Sequence, residues 1–293
     1  MSPSLSSLAP RGTHLNVGGR QLWVHRSGRG GPPVIILAGG GAIGLDYLNV
    51  QEGAARHTTS VLYDRAGTGW SDPAELPRSA SDVITELREL LATAEIPAPY
   101  LLVGHSLGGA YARHYAQRFP GEVSGLVLID PLHEDSASYW PPEINQSQEQ
   151  LQAMATMELP QGMLDAYRVV FEEKLRSWPD GVREALVGRH LAAWRTGILE
   201  SLGMQMVCEE LRQGGPVPAV PITVISAMGI DPVQAAFSPV ELQRKVNEGK
   251  QTLNQLISKS VPRGRHVMVP DAAHAWVTME RPDVVVAAIE EML

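Results

Sequence analysis

The sequence predicts an α/β protein with a doubly wound, mostly parallel sheet, and three observations predict it. Short apolar runs at 33–37, 60–64, 100–104, 124–130, 221–227 and 265–270 have the length and composition of strands buried on both faces. Helical patterns lie between them, and strand, helix, strand in alternation winds a parallel sheet. The alternation breaks once, over the 85 residues 132–216, which carry helical patterns and no convincing strand. That stretch reads as an inserted helical cap, leaving 1–131 and 217–293 as the core.

The chain opens with "THLNVGG" and "RQLWVHR", which meet at Gly18-Gly19 and read as an antiparallel hairpin. The next run leads into "LAGGGAIGLD", where Gly39, Gly41 and Gly44 stand in the spacing G-x-G-x-x-G. Asp64 ends the following run, twenty residues beyond Gly44. That pairing suits a dinucleotide, with the pyrophosphate on the loop and the acid on a ribose hydroxyl. The competing reading is a tight turn whose bare amides approach a ligand closely.

"SASDVITELRELLATAEI" starts a helix, with Ser79 three residues before Asp82 as a capping signal and Val83, Leu87, Leu90, Leu91 and Ile96 as an apolar stripe. "YLLVGHSLGGAYARHYAQRFP" is a strand that turns at once into a helix, and its turn, Gly104-His105-Ser106-Leu107-Gly108, is G-x-S-x-G. A serine on such a turn is a candidate nucleophile. It needs small neighbours so that strand and helix can approach, and Gly104, Gly108, Gly109 and Ala110 supply them. The helix start adds free amides and the positive end of a dipole beside the hydroxyl.

The inserted stretch holds Trp140, Trp178 and Trp194 with Met154, Met157, Met163, Met204 and Met206, side chains that can line an apolar pocket or form a small core of the cap. His133, Glu134 and Asp135 at its entrance are consecutive on one loop, a poor metal cage, and read as capping or seam contacts. After the final strand, His274 lies in a loop that returns to the sheet edge where Ser106 stands, which makes it the candidate general base. Two aspartates fit the order Ser, Asp, His. Asp130 ends "LVLIDP", and a strand end is a rigid mount, so it is preferred; Asp231, in "SAMGIDP", is the alternative. After Arg281-Pro282, "DVVVAAIEEML" closes the chain as a helix with Val284, Val285, Ala288, Ile289 and Met292 on one face.

Composition narrows the class. Apolar residues make up 44% and charged residues 19%, enough for a sizeable core. A net charge of −8 without a block of Lys or Arg argues against nucleic acid and anionic membranes as partners. Cys208 is the sole cysteine, so no internal disulfide or cysteine zinc cage forms, which suits a reducing compartment. "MSPSLSSLAPRG" lacks an apolar leader segment and no stretch is long enough to span a bilayer, so a cytoplasmic protein is expected.

With these motifs in hand, the chain resembles the α/β-hydrolase superfamily over nearly its whole length: the hairpin, the glycine loop, "YDRAGTGWSD", "GHSLGG", the cap and "VPDAAHAW". The resemblance implies an eight-stranded sheet with an inserted helical cap. A serine at the elbow is similar to the esterase, lipase and lactonase branches. It implies acyl transfer through Ser106 on a carboxylic ester or lactone of a small-to-medium apolar molecule, with no cofactor or metal. It also implies an oxyanion hole from the amides of Gly40, or Gly41, and Leu107, although Ala38-Gly39 replaces the His-Gly of many members. Asp231 then occupies the acid's commonest place, one residue further out than usual. Gly41, His105, Trp140, Trp194 and Trp276 are candidate pocket residues. The remaining readings are a lyase, a biosynthetic cyclase or a ligand sensor on the same fold, and, more remotely, an NAD-binding oxidoreductase.

Overall fold

A computed structural model describes residues 9–144, 147–235 and 238–293; most of the opening segment read above for a leader lies outside them. The strands are β1 (Thr13–Val17), β2 (Arg20–Ser27), β3 (Val34–Leu37), β4 (Ser60–Tyr63), β5 (Tyr100–His105), β6 (Val123–Ile129), β7 (Ile222–Ala227) and β8 (Gly264–Val269). They form one eight-stranded sheet in the order β1-β2-β4-β3-β5-β6-β7-β8. β2 runs antiparallel to β1 and β4, and all other pairs are parallel. The Gly18-Gly19 hairpin is as the sequence predicts, with both glycines at positive φ.

Helices α1 (Leu48–Ala54), α2 (Ala80–Thr93) and α3 (Leu107–Arg118) alternate with the strands. Between β6 and β7 lie α4 (Ser136–Tyr139), α5 (Gln148–Thr156), α6 (Gln161–Lys174), α7 (Asp180–Ala192), α8 (Thr196–Ser201) and α9 (Met204–Gln213). α10 (Pro232–Ala235) and α11 (Val240–Lys259) precede β8, and α12 (Val277–Glu280) and α13 (Pro282–Glu290) follow it. α2 starts where Ser79 accepts the Asp82 amide at 3.0 Å, and α13 starts on Pro282.

The central strands are buried on both faces because helices cover both. Side chains alternate between two cores: Ile35 and Leu37 of β3 join Leu87, Leu90 and Tyr115 in one, while Val34 and Ile36 join Trp23, Val285 and Ile289 in the other. The inserted helices share much of their apolar surface with the sheet. Trp178, Val182 and Leu186 pack into the second core of the sheet, and the Trp178 indole donates to the Leu45 carbonyl at 2.8 Å. Val207 and Leu211 of α9 join the first core. α5 to α8 stand over the carboxyl ends of the strands. No helix among the described residues is long and apolar enough to cross a membrane.

Candidate active site

β5 ends at His105 and α3 begins at Leu107, so Ser106 alone makes the turn, at φ 51° and ψ −119°. An L residue rarely adopts such angles, and the packing around the turn holds it there. A Cβ at Gly108 would stand 2.1 Å from the Leu37 carbonyl oxygen, and one at Gly104 would stand 2.5 Å from that of Gly108. Only glycine allows strand and helix to approach this closely, which is the physical content of the G-x-S-x-G spacing. As the first residue of α3, Leu107 has an amide with no intrahelical acceptor.

His274 Nε2 lies 3.1 Å from Ser106 Oγ, and His274 Nδ1 lies 3.0 Å from Asp130 Oδ2. A carboxylate only accepts, so Nδ1 carries the proton and Nε2 is left to accept from the serine. Burial alone would raise the Asp130 carboxyl, but the Lys250 ammonium and His274 more than offset it and hold it well below the usual carboxylate range. Lys250 Nζ donates to the same Oδ2 at 2.6 Å, and Asn254 Nδ2 donates to Oδ1 at 3.2 Å. Asp130 sits at φ 43°, just past the end of β6. Asp231 makes no bond to His274: one of its oxygens accepts from the Trp276 indole at 3.0 Å and the other from the Val233 amide at 2.9 Å.

The glycine loop is held from several sides. The Gly39 amide donates to the Tyr47 hydroxyl at 2.9 Å, and that oxygen lies 2.8 Å from His105 Nδ1. His105 Nε2 is 3.0 Å from the carbonyl of His274 and must donate to it. Burial, reinforced by the nearby His274, pushes the ring down to about 3, so it is neutral and Nδ1 accepts the Tyr47 proton. Arg65 donates to the Ala38 carbonyl at 2.9 Å and the Gly39 carbonyl at 2.7 Å. Its guanidinium also grips Glu200 of α8 at 2.6 and 2.8 Å, and Glu200 accepts the Gly41 amide at 2.7 Å. The Gly41 amide, which the sequence left open as an alternative oxyanion donor, is thus occupied by a carboxylate. Tyr47 takes the Gly39 amide and Glu200 the Gly41 amide, while no partner among the described residues holds that of Gly40.

Asp64 is not exposed to bind a ribose. It is buried, accepts the amides of Gly44 at 2.7 Å and Trp70 at 2.8 Å, and burial outweighs those bonds to push it up to about 6. The acid that mimics a nucleotide fingerprint fastens the glycine loop to the end of β4.

A cavity of about 740 Å³ opens over Ser106, lined by Gly40, Gly41, His105, His274 and Trp276 from the core and by Met154, Met157, Met163, Phe171 and Trp194 from the inserted helices. Trp140 lines a second cavity, of about 780 Å³, which also touches Ser106 and His274. Trp178 belongs to the core and Met206 is exposed, so neither lines the first cavity. Glu134 pairs with Arg113 at 2.7 and 2.8 Å, and His133 Nδ1 accepts the Asp135 amide at 3.0 Å. Local sequence patterns singled out none of Tyr47, Arg65, Glu200, Lys250 and Asn254, because each acts through a partner distant in the chain.

A family model described as the alpha/beta hydrolase family matches residues 34–288. Among curated relatives, a pimeloyl-[acyl-carrier protein] methyl ester esterase of Chromobacterium violaceum is 39% identical over 108 residues, 37% of this chain and 40% of that protein. The human (lyso)-N-acylphosphatidylethanolamine lipase is 35% identical over 104 residues, 34% of this chain and 30% of the lipase. The first relatives are matched over less than half of their own length, for example 14% and 46% for proteins of Schizosaccharomyces pombe and Bacillus subtilis. Among solved structures, an esterase of Thermogutta terrifontis aligns with a TM-score of 0.67 at 20% identity, covering 96% of this chain and 97% of its own. An enol-lactonase of Burkholderia xenovorans aligns at 0.66 and 18% identity, covering 95% and 98%. Given the eight-stranded sheet, the inserted helices and a family match over most of its length, the chain belongs to the alpha/beta hydrolase family.

Proposed function

We propose that this hydrolase cleaves a carboxylic ester or lactone with an apolar body through an acyl-Ser106 intermediate. The observation that carries the reading is the Ser106–His274–Asp130 chain of contacts at 3.1 and 3.0 Å, opening into a cavity walled by Met, Phe and Trp side chains. In this reading Ser106 Oγ attacks the carbonyl carbon as its proton passes to His274 Nε2. The amides of Gly40 and Leu107 bind the oxyanion. Collapse breaks the bond to the leaving oxygen, which takes the proton from His274. Water, deprotonated by the same imidazole, then attacks the acyl group, and the carboxylic acid leaves with Ser106 regenerated. The inserted helices of 132–216 act as a cap that selects an apolar group. The ester esterase and lipase among the relatives, and the lactonase among the structures, are in keeping with this class.

A fluorophosphonate probe is the direct test. Its mass should appear on the peptide that contains "GHSLGG", and Ser106→Ala should lose about a thousandfold or more in turnover across a panel of esters, lactones, thioesters and amides. Labelling at another residue, or an alanine variant that still turns over, would sink the proposal.

A further inference from the structure

A run of three glycines has no side chain with which to hold itself, so an amide aimed at a developing charge must be fixed by its neighbours. On the core side, Tyr47 and Arg65 hold Ala38 and Gly39. Nothing from the core takes the amide of Gly41. Glu200, from the inserted helices, takes it at 2.7 Å with the oxygen that Arg65 Nη2 also grips. Gly41 has φ +70°, and a Cβ there would stand 2.8 Å from the Gly197 Cα, so the loop and α8 are also in direct backbone contact. A second joint lies further along the same loop, where His190 Nε2 of α7 meets Asp46 Oδ1 at 2.8 Å while Asp46 Oδ2 accepts the Ile43 amide at 2.8 Å.

We infer that Glu200 is a positioning residue: its carboxylate lets the inserted helices hold the far side of the glycine loop, so that of the loop's amides only that of Gly40 remains aimed at the reacting oxygen, opposite that of Leu107. The inference rests on reading that loop as the oxyanion hole. The buried carboxylate is a poor neighbour for an oxyanion, since an ideal Cβ on Gly40 would be 4.0 Å from Glu200 Oε2. Its bidentate pairing with Arg65 cancels that charge locally. What remains is geometry, and geometry and charge make opposite forecasts for the loss of Glu200. If only charge mattered, freeing the Arg65 cation would leave turnover unchanged or raise it. If position matters, turnover falls while substrate still enters the same cavity.

The test compares the unsubstituted enzyme with Glu200→Gln, which keeps the shape, and with Gly41→Ala, which opens the same joint from the core side. Kinetics on a p-nitrophenyl ester are paired with amide hydrogen exchange of the peptide covering 37–46, at a temperature where melting curves show each variant folded. We expect kcat to fall by about tenfold or more in Glu200→Gln with KM within about threefold, and exchange over 37–46 to quicken. If Glu200→Gln does not fold, Gly41→Ala carries the same two readouts. Retained kcat, a rise in KM alone, or unchanged loop exchange overturns the inference. Should the unsubstituted enzyme hydrolyse no ester while the variant's loop still exchanges faster, the serine-hydrolase reading fails and the catalytic inference is overturned with it, Glu200 being left as a structural brace of the loop.

Discussion

Asp130 offers two oxygens to three donors, and the crowding says what each partner contributes. Oδ2 accepts from His274 and Lys250, and Oδ1 from Asn254, so the carboxylate is fixed in orientation as well as in charge. If Asp130 orients the imidazole, Asp130→Asn should present an amide N–H or a weaker acceptor to Nδ1 and favour the wrong tautomer. Turnover should fall by up to about 10⁴-fold with the fold intact. Asp231→Asn should be mild, because Asp231 spends its oxygens on the Trp276 indole and the start of α10. Steady-state kinetics on the two folded variants decide the matter, and the reverse ranking would show the acid to be misassigned.

The elbow, the glycine loop and the loop after β8 are separate elements that one imidazole ties together. The Gly39 amide donates to Tyr47, Tyr47 to His105, and His105 to the His274 carbonyl. Because burial lowers His105 from 6.5 to about 3, the folded protein keeps this ring neutral where the unfolded chain would protonate it. Between those values the unfolded state binds more protons, so stability rises with pH across the window and is lost as pH falls from about 6.5 toward 3. Urea midpoints measured between about pH 6.5 and 4.5, above the range where most carboxylates titrate, should decline in the unsubstituted protein and decline less in His105→Gln. Equal slopes in the two proteins would refute this account of the ring.

At the scale of the molecule, loops at the strand ends carry Ser106, His274 and Asp130, and the inserted helices supply most of the apolar wall of the cavity above them. Met154, Met157, Met163 and Phe171 come from α5 and α6 or their ends, and Trp194 from the turn before α8. If that wall selects the substrate, kcat/KM on a series of linear acyl esters should climb with each methylene by a factor set by about 0.8 kcal/mol at most, then level when the cavity is full. Trp194→Ala should move the plateau to longer chains. A preference for acetyl or charged acyl groups would contradict an apolar wall.

Local chemistry made much of this legible in the sequence. Runs of β-branched and aliphatic residues marked the parallel strands one by one, although β8, at the sheet edge, is buried only at Val269 rather than on both faces, and G-x-S-x-G is a steric demand of a single turn. His274 could be put beside the elbow because the loop leaving the last strand returns to the carboxyl edge of the sheet, where Ser106 stands. Pairings between distant residues could not be read this way. The choice between Asp130 and Asp231 depended on whether the longer loop could bring its carboxylate to the imidazole. In the folded chain that loop turns Asp231 toward Trp276 instead. The G-x-G-x-x-G spacing on its own admits a dinucleotide turn beside a glycine loop, and the fold gives Asp64 a different role by bonding it to the Gly44 amide. Glu200 and Arg65, 135 residues apart, carry no local signal, since an ion pair is a property of position in space. Periodicity and sterics act between neighbours along the chain and determined the strands, the elbow and the serine. Which partner each buried charge meets was decided only by the tertiary structure: Arg65 finds Glu200 through the inserted helices and Asp130 finds Lys250 through α11, because a buried charge is costly unless it is paired or hydrogen-bonded.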